Sequence, residues 1–211
     1  MKRKTETQQH PELYIPKSPD EFIGPANTVA RILAVKSARI KPDGNPAKLL
    51  LYGPPGVGKT RLAEFFARSL TEQAVQIEST NGRNVNLEVI RQWQESERYI
   101  PLLSRWSVKI VNELDATPPA AQDLLLTYLD QMPSFTAFIG TSNLDLRALA
   151  ERFQTRLQQF KVDAPVTEDL ARFLSRWKVA RNLPNEIAVG CGGNVRAALL
   201  DVQSVMDASL A

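Results

Sequence analysis

The segment GPPGVGKT at residues 53–60 limits what this chain can fold into more than any other feature. It directly follows the apolar run KLLLY (48–52) and directly precedes a helix-forming stretch from Lys59 to about Leu70. That succession predicts a buried strand, a tight loop and a helix. Glycines at 53, 56 and 58 permit a turn whose N–H groups face phosphate oxygens, and the helix adds its positive N-terminal end. Lys59 supplies a mobile cation for the β and γ phosphates, and the Thr60 hydroxyl can ligate magnesium. Gly53, Pro54, Pro55, Gly56, Val57, Gly58, Lys59 and Thr60 are therefore the expected nucleotide-binding residues, with ATP or GTP as ligand.

The rest of the chain repeats this alternation. Residues 1–11 read as a flexible basic tail, followed by a proline-rich leading segment to residue 25. Asn27 can cap a helix over Thr28–Ile40, which the turn-rich KPDGNP ends. Strands are expected at 74–80, 107–114, 135–143 and 157–162, with helices at 86–97 and from Pro119 to Asp130 between them. Strands separated by helices predict right-handed crossovers and a parallel sheet covered on both faces. After Pro165 the strand pattern stops, and helices at 167–181, 184–189 and 194–209 read as a small all-helical lid. The fold class is thus α/β, with a nucleotide-binding domain over 12–164 and a lid domain over 165–211.

Composition excludes more than it assigns. No apolar run approaches the roughly 20 residues of a membrane-spanning helix, and nothing reads as a secretory signal. One cysteine, Cys191, and one histidine, His10, cannot supply an internal disulfide or a zinc site. A cytoplasmic location is expected, and Cys191 reads as a small apolar residue. A net charge of +3 permits contact with nucleic acid without requiring it.

A phosphate loop that hydrolyses nucleotide needs an acidic strand end to hold the magnesium shell and orient water. KIVNELD (109–115) fits, with Ile110 and Val111 entering the sheet and polar residues emerging at its carboxyl edge. Glu113 is then the expected catalytic carboxylate. Asn112 stands where an aspartate is usual, so it can reach magnesium through water as a hydrogen-bond acceptor but brings no charge. The next strand ends in GTSN (140–143); alone its Asn143 would read as a strand-end turn residue, but after the other two motifs it is expected to position water against the γ-phosphate.

These motifs, in this order, resemble the AAA+ ATPase family, within it the clamp-loader branch (the small subunits of replication factor C type) and the replication initiators. YIPKSPDEFIG (14–24) is similar to the leading motif of clamp-loader subunits, NELDATPPAAQ (112–122) to their acidic box, with Asp115 as its final aspartate, and ESTNGR (78–83) to the segment after their second strand. ERFQTRL (151–157) resembles the box carrying the arginine finger, with Arg156 at the finger position and Arg152 as its rival. GGNVRAAL (192–199) resembles the lid motif whose arginine, here Arg196, senses nucleotide. The resemblance implies a three-layer parallel sheet with a helical lid, ATP with magnesium, and self-assembly into a ring or spiral in which Arg156 acts on the neighbouring subunit. It also implies DNA and a replication-type protein partner, without a membrane. The helical collar of clamp loaders has no counterpart before Ala211, so the expectation is a minimal module or a truncated chain.

Three activities fit this reading. One is a loader or replication ATPase, with Arg83, Arg91 and Arg98, or the lid residues Arg172, Arg176, Lys178 and Arg181 around Trp177, as DNA contacts or merely a solvated surface. The lid spacing equally suits a helix packing Phe173, Leu174 and Trp177 inward. A second is a slowly hydrolysing, nucleotide-gated scaffold, favoured by Asn112. A third is a protein-remodelling ATPase, for which Trp106 is the only aromatic candidate.

Overall fold

Five strands form one parallel sheet in the order β2-β3-β4-β1-β5, with β1 at Ala47–Tyr52, β2 at Ile77–Asn81, β3 at Ser107–Asn112, β4 at Thr136–Ser142 and β5 at Gln158–Lys161. The computed structural model describes residues 11–24, 26–39, 45–71, 74–102, 104–143 and 151–209. The expected basic tail lies almost wholly outside these residues, as does most of the KPDGNP turn. All seven residues of β4 are buried, and so are five of six in β3. Since successive side chains point to opposite faces, such runs require cover on both sides. The strands at the sheet's two ends are less covered: β2 has no buried residue and β5 has one.

The helices are α1 (Ala26–Arg39), α2 (Lys59–Leu70), α3 (Leu87–Ser96), α4 (Pro119–Gln131), α5 (Glu151–Gln154), α6 (Thr167–Leu174), α7 (Leu183–Gly190) and α8 (Val195–Ala208). Asn27 lies inside α1 instead of capping it. In α3, Asn86 Oδ1 accepts from Val89 N and fixes the start. Pro119 stands at the first turn of α4, where a missing N–H costs nothing.

The chain separates into two compact units. One comprises Asn27–Pro54 and Lys59–Val162, the other the leading segment, Pro55–Gly58 and Asp163–Ala211. The first has a core of Leu50, Val111, Leu125, Leu129, Phe138 and Phe153. The second closes around Leu170, Phe173, Leu174, Trp177, Ala188 and Val202, with Tyr14 and Ile23 of the leading segment packed on it. Tyr14 meets Phe173 and Trp177 edge to face, while Arg176 lies over the Phe173 ring and donates to Tyr14 Oη at 3.2 Å. Phe173, Leu174 and Trp177 thus face inward. Burial and a hydrogen bond to Glu21 push the Tyr14 hydroxyl up to about 12, so it remains a donor.

The expected helix over 167–181 stops at Leu174. Ser175 caps it, and Arg176 and Trp177 bond back three residues to Phe173 and Leu174, which tightens the chain into a turn that keeps Trp177 in the core. Trp106 is also buried, immediately before β3, and so gives no exposed aromatic for a remodelling pore. Cys191 follows α7. Its thiol donates to an Asp201 carboxylate oxygen, and burial with that neighbour pushes it up to about 11. No helix among the described residues is long and apolar enough to cross a membrane.

Candidate active site

β1 leads straight into the phosphate loop, and α2 begins at Lys59. Gly53, Gly56 and Gly58 all have positive φ. At two of them the neighbours also exclude a side chain. A Cβ on Gly53 would lie 2.2 Å from the Val162 carbonyl oxygen, and one on Gly56 would lie 1.9 Å from Asn194 Oδ1. The loop is therefore drawn tight, with a helix N-terminus at its end, which is the shape and polarity that phosphate requires. Lys59 Nζ donates to the Gly53 and Pro54 carbonyls at 2.8 and 2.6 Å. Those neutral acceptors are the ones a phosphate anion would displace. These residues fit the β and γ phosphates of ATP.

The carboxyl edge of β3 faces the same helix start. Thr60 Oγ1 donates to Asn112 Oδ1 at 2.9 Å. Thr141 Oγ1 reaches the same oxygen at 3.3 Å, and Asn112 Nδ2 donates to Ser79 Oγ at 3.2 Å. Magnesium takes oxygen ligands and keeps several waters, so the Thr60 hydroxyl and the Asn112 amide oxygen fit a hydrated ion, without a charge from position 112.

Glu113 follows with φ 54, and is the sole non-glycine with positive φ among the described residues. A left-handed residue costs about 1–2 kcal/mol, a strain of the kind concentrated at functional sites. This twist ends β3 at Asn112, so the strand expected to reach Leu114 is two residues shorter and Leu114–Ala116 forms a 3₁₀ turn. The Glu113 carboxylate accepts from Asn81 Nδ2 at 3.0 Å, while Asn81 Oδ1 accepts from Arg83 N at 3.0 Å. Both ends of the Asn81 amide are thus used, and its orientation is fixed. Gly82 is required beside it, since a Cβ there would lie 2.1 Å from the Glu113 carbonyl oxygen. The segment ESTNGR does not by itself mark Asn81 as the partner of Glu113. The signal was the pairing of β2 with β3, which sets Asn81 opposite Asn112.

Asn143, exposed, comes directly after β4, the strand between β1 and β3. Asp115 lies in the 3₁₀ turn, and among the described residues its Oδ1 has no hydrogen-bond partner. Arg152 is the second residue of α5, and Arg156 stands two positions beyond the end of that helix. They pair with Asp123 and Asp130 of α4 respectively. Arg196, exposed, is the second residue of α8, and its backbone N–H donates to the Gly56 carbonyl at 3.1 Å. Arg83, Arg91 and Arg98 are exposed as well, Arg98 pairing with Glu95. Of these only Arg91 lies on α3, which also carries Glu88 and Glu95, so that helix is mixed in charge and not basic.

Comparison with known proteins agrees with this geometry. Residues 49–163 match the family described as ATPases associated with various cellular activities. The chain is 26% identical over 199 residues to the replication-associated recombination protein A of Bacillus subtilis, covering 87% of this chain and 44% of that protein. It is 31% identical over 152 residues to replication factor C small subunit 2 of Pyrobaculum aerophilum, covering 69% of this chain and 45% of that protein. The chain spans less than half the length of these relatives. Among solved structures, the RuvB Holliday junction branch migration motor of Thermotoga maritima has the same fold, with a TM-score of 0.75 at 24% identity over 94% of this chain and 66% of that one. With the phosphate loop, the acidic strand end and the five-stranded parallel sheet, the chain belongs to the AAA+ family of ATPases, related to replication factor C subunits and RuvB.

Proposed function

We propose that the chain hydrolyses ATP with magnesium, assembles with further copies of itself into a ring or spiral, and acts as a nucleotide-driven switch in a DNA transaction of the clamp-loader or helicase-loader kind. The observation that carries this is the arrangement of neighbouring strands β1, β4 and β3, which end in the phosphate loop, Asn143 and Glu113. In this reading Lys59 and the loop hold the phosphates, Asn143 and the Glu113 carboxylate orient the attacking water, and Glu113 receives its proton. Magnesium, held by Thr60 and through water by Asn112, would offset phosphate charge. Arg196 reports the nucleotide of its own chain, and Arg156 serves that of a neighbour. The relatives' names, replication factor C, replication-associated recombination protein and Holliday junction branch migration motor, support DNA as partner.

The test is ATP turnover with and without single-stranded and duplex DNA, against Glu113→Gln. Turnover that DNA stimulates, with Glu113→Gln binding ATP but not cleaving it, is the expected result. Turnover that survives Glu113→Gln places the acid elsewhere. The bond from Thr60 to the neutral Asn112 favours a second reading, a slowly hydrolysing scaffold gated by nucleotide. Tight ATP binding with DNA-independent, very slow turnover selects it.

A further inference from the structure

Helix α4 holds the two rival arginines in different ways. Arg152 gives it both terminal nitrogens, Nη1 to Asp123 Oδ1 at 2.5 Å and Nη2 to Gln122 Oε1 at 3.0 Å. Its fork is spent on its own subunit. Arg156 is held by its inner edge. Its Nε donates to both carboxylate oxygens of Asp130, at 2.9 and 3.0 Å, and its Nη1 donates to the Arg152 carbonyl at 3.0 Å. Among the described residues its Nη2 has no partner, and the side chain is 32% exposed. A guanidinium carries five N–H donors in one rigid plane, so fixing the Nε edge fixes where the remaining donors point.

We infer that Asp130 is the positioning residue for Arg156: it grips the guanidinium at Nε and leaves Nη2 to meet an anionic phosphate on another subunit. The inference rests on the proposed action of Arg156 in trans and adds to it the residue that aims the side chain. Arginine has much rotamer freedom to lose, and a contact made before assembly removes that cost from the encounter. The carboxylate does not quench the donor, because a guanidinium keeps its proton in proteins. Nor is the pair chiefly a matter of stability. Asp130 is half exposed, and exposed ion pairs add little to folding. By the same geometry Arg152 is the residue that secures α5 to α4.

A mixed-subunit experiment separates positioning from structure. Subunits carrying Glu113→Gln cannot cleave ATP but keep Arg156. Subunits carrying Arg156→Ala can cleave it but offer no finger. The parent mixture, its mixed assembly verified by native mass spectrometry, should recover ATP turnover at interfaces where an intact finger meets an intact acid. Adding Asp130→Asn to the Glu113→Gln chain should lower that recovered turnover about tenfold, since small misplacements of a catalytic group cost one to two orders of magnitude. Adding it to the Arg156→Ala chain, where there is no guanidinium to hold, should leave recovery in place. A general folding defect would act in either chain, so equal losses, or no loss in either, overturn the role of Asp130. No recovery in the parent mixture overturns the trans-acting finger, and the inference with it.

Discussion

Asn112 places an amide where magnesium-dependent ATPases of this fold carry a carboxylate, and its oxygen already accepts from Thr60 and Thr141. The substitution removes one negative charge near the metal but keeps an acceptor. It should weaken magnesium more than nucleotide, because the loop and Lys59 still hold the phosphates. Asn112→Asp is therefore expected to raise turnover at limiting magnesium about tenfold, if the carboxylate is worth roughly 1.4 kcal/mol in the transition state. Titrating magnesium against turnover for both proteins checks this. An unchanged requirement would mean that residue 112 does not serve the metal. At this scale the residues legible in the sequence were those whose chemistry is local, since glycine spacing, Lys59 and Thr60 imply a phosphate cradle within eight positions. Asn81 and Asp130 were not legible, because their meaning comes from partners 32 and 26 positions away.

Among the elements, β3 brings together what the sequence displayed and what it hid. Its apolar run marked a buried strand, yet Lys109 in its middle is almost completely buried. Lys109 pairs with Glu78 of β2 and lies 3.8 Å from Glu97 at the end of α3, while Tyr128 of α4 donates to Glu97 at 2.9 Å. Only pairing between distant elements makes a charge tolerable there. Burial raises the Glu97 carboxyl above its ordinary 4.5, and Glu78 adds to this. The Tyr128 bond and the Lys109 cation pull it down without cancelling the rise. Because the folded value exceeds the unfolded one, the native state binds more protons in between. The stability this group contributes is fully present below pH 4.5 and is lost as pH rises through the raised value. Glu97→Gln removes that titration, so its stability should fall less than the parent's from pH 5 to pH 7.5. Urea unfolding at both values decides, and parallel changes in the two proteins would show that Glu97 does not titrate in this range. The end of β3 was equally hidden, since nothing local to Glu113 announces a left-handed backbone; its fit against Gly82 does.

For the whole molecule, the boundary between the two compact units crosses the phosphate loop, leaving Pro55–Gly58 with the lid-bearing part and Lys59 with the sheet. Arg156 and Arg152 are both tied to α4 of their own subunit. If Arg156 completes a neighbour's site, catalysis becomes a property of concentration. An arginine supplied in trans is worth about a thousandfold or more in turnover in related phosphoryl transfer, so isolated subunits should be nearly silent. Turnover per chain is expected to fall on dilution in step with the assembled fraction, measured in parallel by analytical ultracentrifugation. Arg156→Ala should bind ATP with nearly unchanged affinity and still assemble, while its turnover stays at the level of the dilute parent whatever its concentration. Dilute monomers that hydrolyse ATP as fast as assembled chains would mean that each subunit carries its full catalytic set, and that Arg156 has no work to do across an interface.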